Sequence, residues 1–151
     1  MNAPLDLGWR EWVTLPQLNI DWIKAKVDTG ARTSALHASY YEAFEKAGES
    51  WLRFAVRPLQ GESTDSIVCE ARLLEWRDVT DSGGHKESRP VILTNLQLGD
   101  ELRTIEVTLT DRDSMRFRML IGRTAIKKGV NVKPGASFLL GGSSKQPPES
   151  P

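Results

Sequence analysis

Apolar and β-branched residues recur at every second position over much of this chain, and clusters of turn-forming residues interrupt them at short intervals. A period of two puts alternate side chains on opposite faces of an extended strand, so the pattern predicts a mostly antiparallel, all-β domain. Strands are predicted over residues 9–15, 22–27, 34–38, 51–57, 67–76, 89–93, 102–110 and 117–121, with a last pair near 130–133 and 137–140. Pro16, Gln60-Gly61, Asp81-Ser82-Gly83-Gly84, Leu98-Gly99-Asp100 and Pro134-Gly135 supply the turns between them. Helix is predicted at 41–47 and 124–128, where good helix formers run into Gly48 and Gly129. The segment 142–151 is rich in Ser and Pro with nothing to bury and is expected to be disordered, which leaves residues 1–141 as a single domain.

Charge narrows the partners. Lys plus Arg and Asp plus Glu number 20 each, so no global field favours nucleic acid or an anionic membrane. No run approaches the roughly 18 apolar residues of a membrane-spanning helix. The start, Met1-Asn2-Ala3-Pro4-Leu5-Asp6, lacks the basic and apolar regions of a secretory signal, so a cytoplasmic location is expected. Cys69 is the one cysteine, which excludes an internal disulfide. In Ile67-Val68-Cys69-Glu70-Ala71 it reads as a small buried strand residue.

The candidate chemistry lies in Ile23-Lys24-Ala25-Lys26-Val27-Asp28-Thr29-Gly30-Ala31 and, far downstream, Met119-Leu120-Ile121-Gly122-Arg123. The first places a carboxylate at the end of an apolar strand. Asp-Thr-Gly after alternating apolar residues, followed by an apolar-apolar-Gly, resembles the half-site of the retropepsin-like aspartic proteases. Gly8-Trp9-Arg10-Glu11-Trp12-Val13, the run Asp28 to Ala38 and Ser82-Gly83-Gly84-His85 further resemble a bacterial branch of that family often labelled ATP-dependent zinc protease. The resemblance covers residues 7 to 141. It implies a retropepsin-like acid-protease β-barrel of short antiparallel strands, with one short helix near the C-terminus after the apolar-apolar-Gly.

Aspartic-protease chemistry activates water between two carboxylates that share one proton, because like charges about 3 Å apart cannot both ionise. This chain offers one suitable aspartate. Asp81-Ser82-Gly83 lacks a preceding apolar strand and reads as a turn, so the second carboxylate is expected from a homodimer with Asp28 on its two-fold axis. The resemblance gives Thr29 a hydrogen bond across that axis and Gly30 backbone N–H groups near the carboxylates. It makes Ala31 a small neighbour that leaves room for substrate backbone. Retroviral relatives commonly carry an acid after Asp-Thr-Gly-Ala that pairs with an arginine after the downstream glycine. Arg32 stands in that place here, facing Arg123, so the support of the loop must differ.

A covering flap is expected from the hairpin at 79–88, with 59–65 as the other candidate. That choice adds Gly83, Gly84, His85 and Arg89 to Ala31, Arg32 and Arg123 as substrate contacts. The family often accompanies ATP-grasp glutamate ligases, which implies a peptide or protein substrate, with glutamate-tailed proteins as one class.

Neither zinc nor ATP is expected, and no cofactor is assigned. The chain has no His-Glu-x-x-His and no Gly-x-x-x-x-Gly-Lys-Ser/Thr run. Its nitrogen and sulfur donors are His37, His85 and Cys69 alone, and His37 reads as a strand histidine near the site. Two alternatives to a homodimeric aspartic peptidase stay open: a peptide-binding module without turnover on the same fold, and a zinc-dependent hydrolase.

Overall fold

The computed structural model describes residues 5–58, 66–80, 83–111, 117–126 and 128–140. Ten strands make up most of it: β1 (Leu5–Leu15), β2 (Ile20–Val27), β3 (Ser34–His37), β4 (Ser39–Lys46), β5 (Glu49–Val56), β6 (Ile67–Thr80), β7 (Lys86–Leu98), β8 (Glu101–Thr110), β9 (Met119–Ile121) and β10 (Val130–Ser137). They form one mixed sheet in the order β10-β1-β2-β9-β3-β8-β7-β6-β5-β4, and β1 also meets β7 at Thr14↔Gln97. No described helix is long and apolar enough to cross a membrane.

Alternation built the strands but did not choose their neighbours. Most pairs are antiparallel, as expected, but β1–β10, β2–β9 and β3–β8 run parallel. Parallel pairing needs a long connection, and the chain between Val27 and Met119 provides one by running through six other strands. The core collects the inward residues of this curled sheet: Ile23 and Ala25 of β2, Leu36 of β3, Ile92 and Leu96 of β7, Val107 and Leu109 of β8, and Met119 and Ile121 of β9. Each fully buried Leu or Ile of this kind contributes about 1.5–3 kcal/mol.

Both predicted helices are corrected. Residues 41–46 belong to β4, paired with β5 from Tyr41↔Phe54 to Lys46↔Glu49. Gly48 does not cap a helix; with Ala47 it makes the two-residue hairpin turn, both at positive φ (52° and 79°), as a type I′ turn requires. The cross-strand pairs Glu42↔Arg53 and Phe44↔Trp51 outweigh helix propensity in this segment. After Gly122 the chain makes only a 3-10 turn, Arg123–Ala125, in place of a helix over 124–128. In place of the predicted pair at 130–133 and 137–140 there is one strand, β10, which ends at Ser137, and 138–140 are in no strand. The register of β10 against β1 jumps from Gly8↔Lys133 to Arg10↔Ser137, so Pro134-Gly135 forms a bulge rather than a turn. The predicted turn at Gln60-Gly61, the flap candidate 59–65, residues Asp81 and Ser82, and the tail 142–151 lie outside the described residues.

The Gly8 to Val13 segment holds the C-terminal end in place. A Cβ on Gly8 would collide with the Ala136 backbone. Glu11, fully buried, accepts hydrogen bonds from the N–H groups of Gly8 (2.6 Å), Leu139 (2.8 Å) and Leu140 (3.0 Å). Phe138 is thereby kept at φ 55°, its N–H on the Arg10 carbonyl oxygen and its ring 4.9 Å from the Arg10 guanidinium.

Candidate functional site

Asp28 follows the last residue of β2 and is half-buried. Its N–H continues the parallel ladder by donating to the Ile121 carbonyl oxygen at 2.8 Å. The chain then turns at once. Ala31 N–H donates to the Asp28 carbonyl oxygen at 3.2 Å, and Gly30 N–H donates to Asp28 Oδ1 at 3.1 Å, a side-chain turn typical of Asp. Oδ2 meets no donor among the described residues, so one carboxylate oxygen orients the group and the other is available. Gly30 does not sit at positive φ. Its glycine is explained by closeness, because a Cβ there would come within 3.3 Å of Oδ1.

The downstream segment braces this loop from several sides. Arg123 N–H donates to the Ala31 carbonyl oxygen at 2.8 Å, and Thr124 N–H to that of Arg32 at 3.1 Å. The Arg123 guanidinium donates through Nη1 to the carbonyl oxygens of Thr29 (3.2 Å) and Gly30 (3.3 Å). Backbone oxygens therefore take the place that a carboxylate fills in the retroviral pattern, and this is how the loop tolerates Arg32. Gly122 packs so closely on the Thr33–Ser34 peptide that a Cβ would lie 2.5 Å from the Thr33 carbonyl carbon, and its N–H is received by Ser34 Oγ at 3.0 Å. Ser34 is fully buried at the start of β3. Sequence reasoning gave it no role, although it lies within the Asp28 to Ala38 run. Glu11 was missed in the same way.

The sequence-predicted contacts divide into groups. Asp28, Thr29, Gly30, Ala31 and Arg32 form one loop with Arg123 folded against it, and Thr29, Gly30, Arg32 and Arg123 are exposed. Gly83, Gly84 and His85 are exposed at the tip of the β6–β7 hairpin, whose last pair is Thr80↔Lys86 and where Gly84 has φ 83°. Strand pairing does not tie this tip to the Asp28 loop. Arg89, expected at the flap surface, is instead 7% exposed on β7, with its Nε on Glu87 Oε2 at 3.1 Å.

Near the end of β3, His37 is buried, with Nδ1 3.3 Å from Arg118 Nη1 and Nε2 3.8 Å from Asp111 Oδ1. Tyr41 is close by, its hydroxyl pushed up to about 12 by burial and by the negative charges of Glu87 and Asp111. Burial also pushes the Cys69 thiol up to about 12, beside the Leu18 carbonyl oxygen at 3.4 Å. No group of three His, Cys, Asp or Glu side chains poised to hold a metal ion occurs among the described residues.

The family model described as retropepsin-like aspartic endopeptidase RimB matches residues 7–141. Proteins named "Probable alpha-L-glutamate ligase" are similar: one from Shewanella pealeana is 42% identical over 135 residues, 89% of this chain. Another, from Parasynechococcus marenigrum, is 43% identical over 141 residues, 93% of this chain. In both, the chain spans 30% of the relative's length. A crystal structure of a Legionella pneumophila protein of unknown function matches with TM-score 0.76 at 34% identity, covering 93% of this chain and 100% of that one. With an Asp-Thr-Gly loop closing a strand against an apolar-apolar-Gly, and a family match over nearly all the described residues, the chain belongs to the RimB-like family of retropepsin-like aspartic endopeptidases.

Proposed function

We propose that this domain is a cytoplasmic aspartic peptidase that acts as a homodimer, each protomer contributing Asp28. The observation that carries this reading is the Asp28 loop: a carboxylate with one oxygen held by its own turn, the other without a donor among the described residues, and the loop braced by residues 121–124. With two such carboxylates facing each other, one is ionised and takes a proton from the attacking water. The other donates its proton to the substrate carbonyl oxygen, and the tetrahedral species collapses as a proton passes to the leaving nitrogen. One chain supplies one such aspartate, so a two-fold related copy supplies the second.

Thr29 then bonds across the axis and Ala31 leaves room for substrate backbone. Arg32 and the hairpin tip at Gly83, Gly84 and His85 are the exposed candidates for substrate contact. Arg123 acts through the loop it holds, and Arg89 through the base of the hairpin. The names of the similar ligases support peptides or proteins with glutamate tails as the substrate class.

The test is cleavage of an α-linked oligoglutamate peptide by the wild-type chain and by Asp28→Asn, followed by mass spectrometry, with sedimentation of both. The expected result is a dimer in both cases and a loss of about 10³-fold or more in the variant, with no effect of a chelator. Cleavage that survives Asp28→Asn removes the aspartic mechanism. Loss on chelation moves the activity to a metal hydrolase, and saturable binding without cleavage leaves a peptide-binding module.

A further inference from the structure

Alternation along β2 divides its side chains between two faces. Ile23, Ala25 and Val27 enter the core, so Lys24, Lys26 and Asp28 lie on the opposite face. Asp28 keeps this parity because its N–H still joins the ladder at Ile121. Lys26 is exposed and stands two residues before Asp28, about 7 Å along the strand at ~3.3 Å per residue. Across the β1–β2 pair it is directly opposite Arg10, and opposed residues share a face. Two cations therefore stand on the Asp28 side of the sheet, at the end of β2 that carries the carboxylate.

Neither cation is matched by an acid. Arg53, Arg77, Arg89 and Arg103, on β5 to β8, each have a nitrogen within 3.1 Å of a glutamate oxygen. The Lys26 ammonium, by contrast, has no ion pair among the described residues, and the Arg10 guanidinium meets no carboxylate there. Arg10 is fixed instead by aromatic rings, 4.7 Å from the centre of Trp9 and 4.9 Å from that of Phe138, with Nε on Ser137 Oγ at 3.2 Å. That leaves Nη1 and Nη2 to donate, a fork whose geometry suits a carboxylate. Like charges directly opposite each other weaken a sheet, and a bound anion relieves the repulsion.

We propose that Lys26 and Arg10 form a subsite for a carboxylate side chain of the substrate, and so select peptides that carry glutamate or aspartate beside the bond under attack. An extended peptide advances ~3.3 Å per residue, which puts cations at this distance from Asp28 in reach of side chains within two residues of that bond. The subsite presupposes the peptidase reading of Asp28 and assigns the residues that would read the substrate. A two-fold axis through the paired aspartates repeats it on both sides of the bond.

The experiment compares kcat/KM of the full chain for an α-linked oligoglutamate peptide and for the same peptide with every Glu replaced by Gln. The wild type should prefer the acidic peptide about tenfold or more, as a hydrogen bond to a charged group implies. Lys26→Gln and Arg10→Gln should each narrow that ratio to about threefold or less, the weight of a partly exposed charge pair. Lys26→Glu should turn the preference towards the glutamine peptide. Lys26 is exposed, so its variants decide the matter if Arg10→Gln does not fold. Equal cleavage of the two peptides by the wild type, or an unchanged ratio in Lys26→Gln, overturns the subsite while the peptidase reading stands. Cleavage of neither peptide counts against the peptidase reading, and fluorescence anisotropy of the two labelled peptides then judges the subsite alone. Preferential binding of the acidic peptide that Lys26→Gln removes supports it, and equal binding overturns it.

Discussion

Ser34 Oγ receives the Gly122 N–H at 3.0 Å, at a point where the two backbones touch too closely for any side chain on residue 122. This contact joins the start of β3 to the end of β9 directly beneath the Asp28 loop. Ser34→Ala would leave a buried N–H without an acceptor and should cost about 1–3 kcal/mol. Gly122→Ala must move backbone and should cost more, about 3 kcal/mol or above. Urea unfolding of the two variants checks the order; a Gly122→Ala protein as stable as wild type would contradict the close packing.

Glu11 offers a second measurement. Its buried carboxylate accepts three backbone N–H groups, and glutamine in its place would present an NH₂ to donors. Glu11→Gln should therefore lose about 2–4 kcal/mol although its shape is nearly unchanged. Hydrogen exchange at Leu139 and Leu140 should accelerate more than exchange in the β7–β8 hairpin. Uniform acceleration would mean that Glu11 supports the whole fold and not this end of the chain in particular.

Ala47 holds a conformation that its Cβ disfavours, at φ 52° in the β4–β5 turn. Asparagine is favoured at the first central position of a type I′ turn. Ala47→Asn should raise stability by about 0.5–1 kcal/mol, readable as a higher denaturant midpoint with unchanged slope. A lower midpoint would show that the turn is not of this type.

Alkaline pH should weaken the fold. The Cys69 thiol is pushed up from 9.0, and the Tyr41 hydroxyl from 10.0, each to about 12. Both are neutral when protonated, and the folded state holds their protons more tightly than the unfolded chain. Their contribution is complete below about pH 9 and declines as pH rises toward 12. Unfolding free energies measured across that range should fall, and Cys69→Ala should flatten the part of the decline that begins near 9. At about pH 8 the native thiol should resist iodoacetamide until the protein is unfolded. Alkylation at the unfolded rate would contradict its burial.

The strand content and the Asp28 loop were legible because both rest on local signals: a period of two, and a carboxylate-hydroxyl-glycine run at the end of an apolar strand. The Leu98-Gly99-Asp100 turn was readable for the same reason, and the structure puts it between β7 and β8 with Gly99 at φ 60°. Partner choice was not legible. Nothing within Ile20–Val27 announces that β2 will lie parallel to Met119–Ile121. The segment 41–47 misled because Glu42, Ala43, Glu45 and Lys46 favour helix locally, while the positive-φ turn at Ala47-Gly48 and the β5 partner decide for strand. Glu11 looked like one more charged strand residue, since its three donors include two from the opposite end of the chain.

The bond from Arg123 to the Thr29 carbonyl spans 94 positions of sequence. Strand β9 and this arginine are made after the six intervening strands, so the acidic loop has no bracing until those strands have left the ribosome. Contacts this distant also form late in folding, after loop-closure entropy has been overcome. The Asp28 loop thus acquires its bracing only once its distant partner strand has been made and docked.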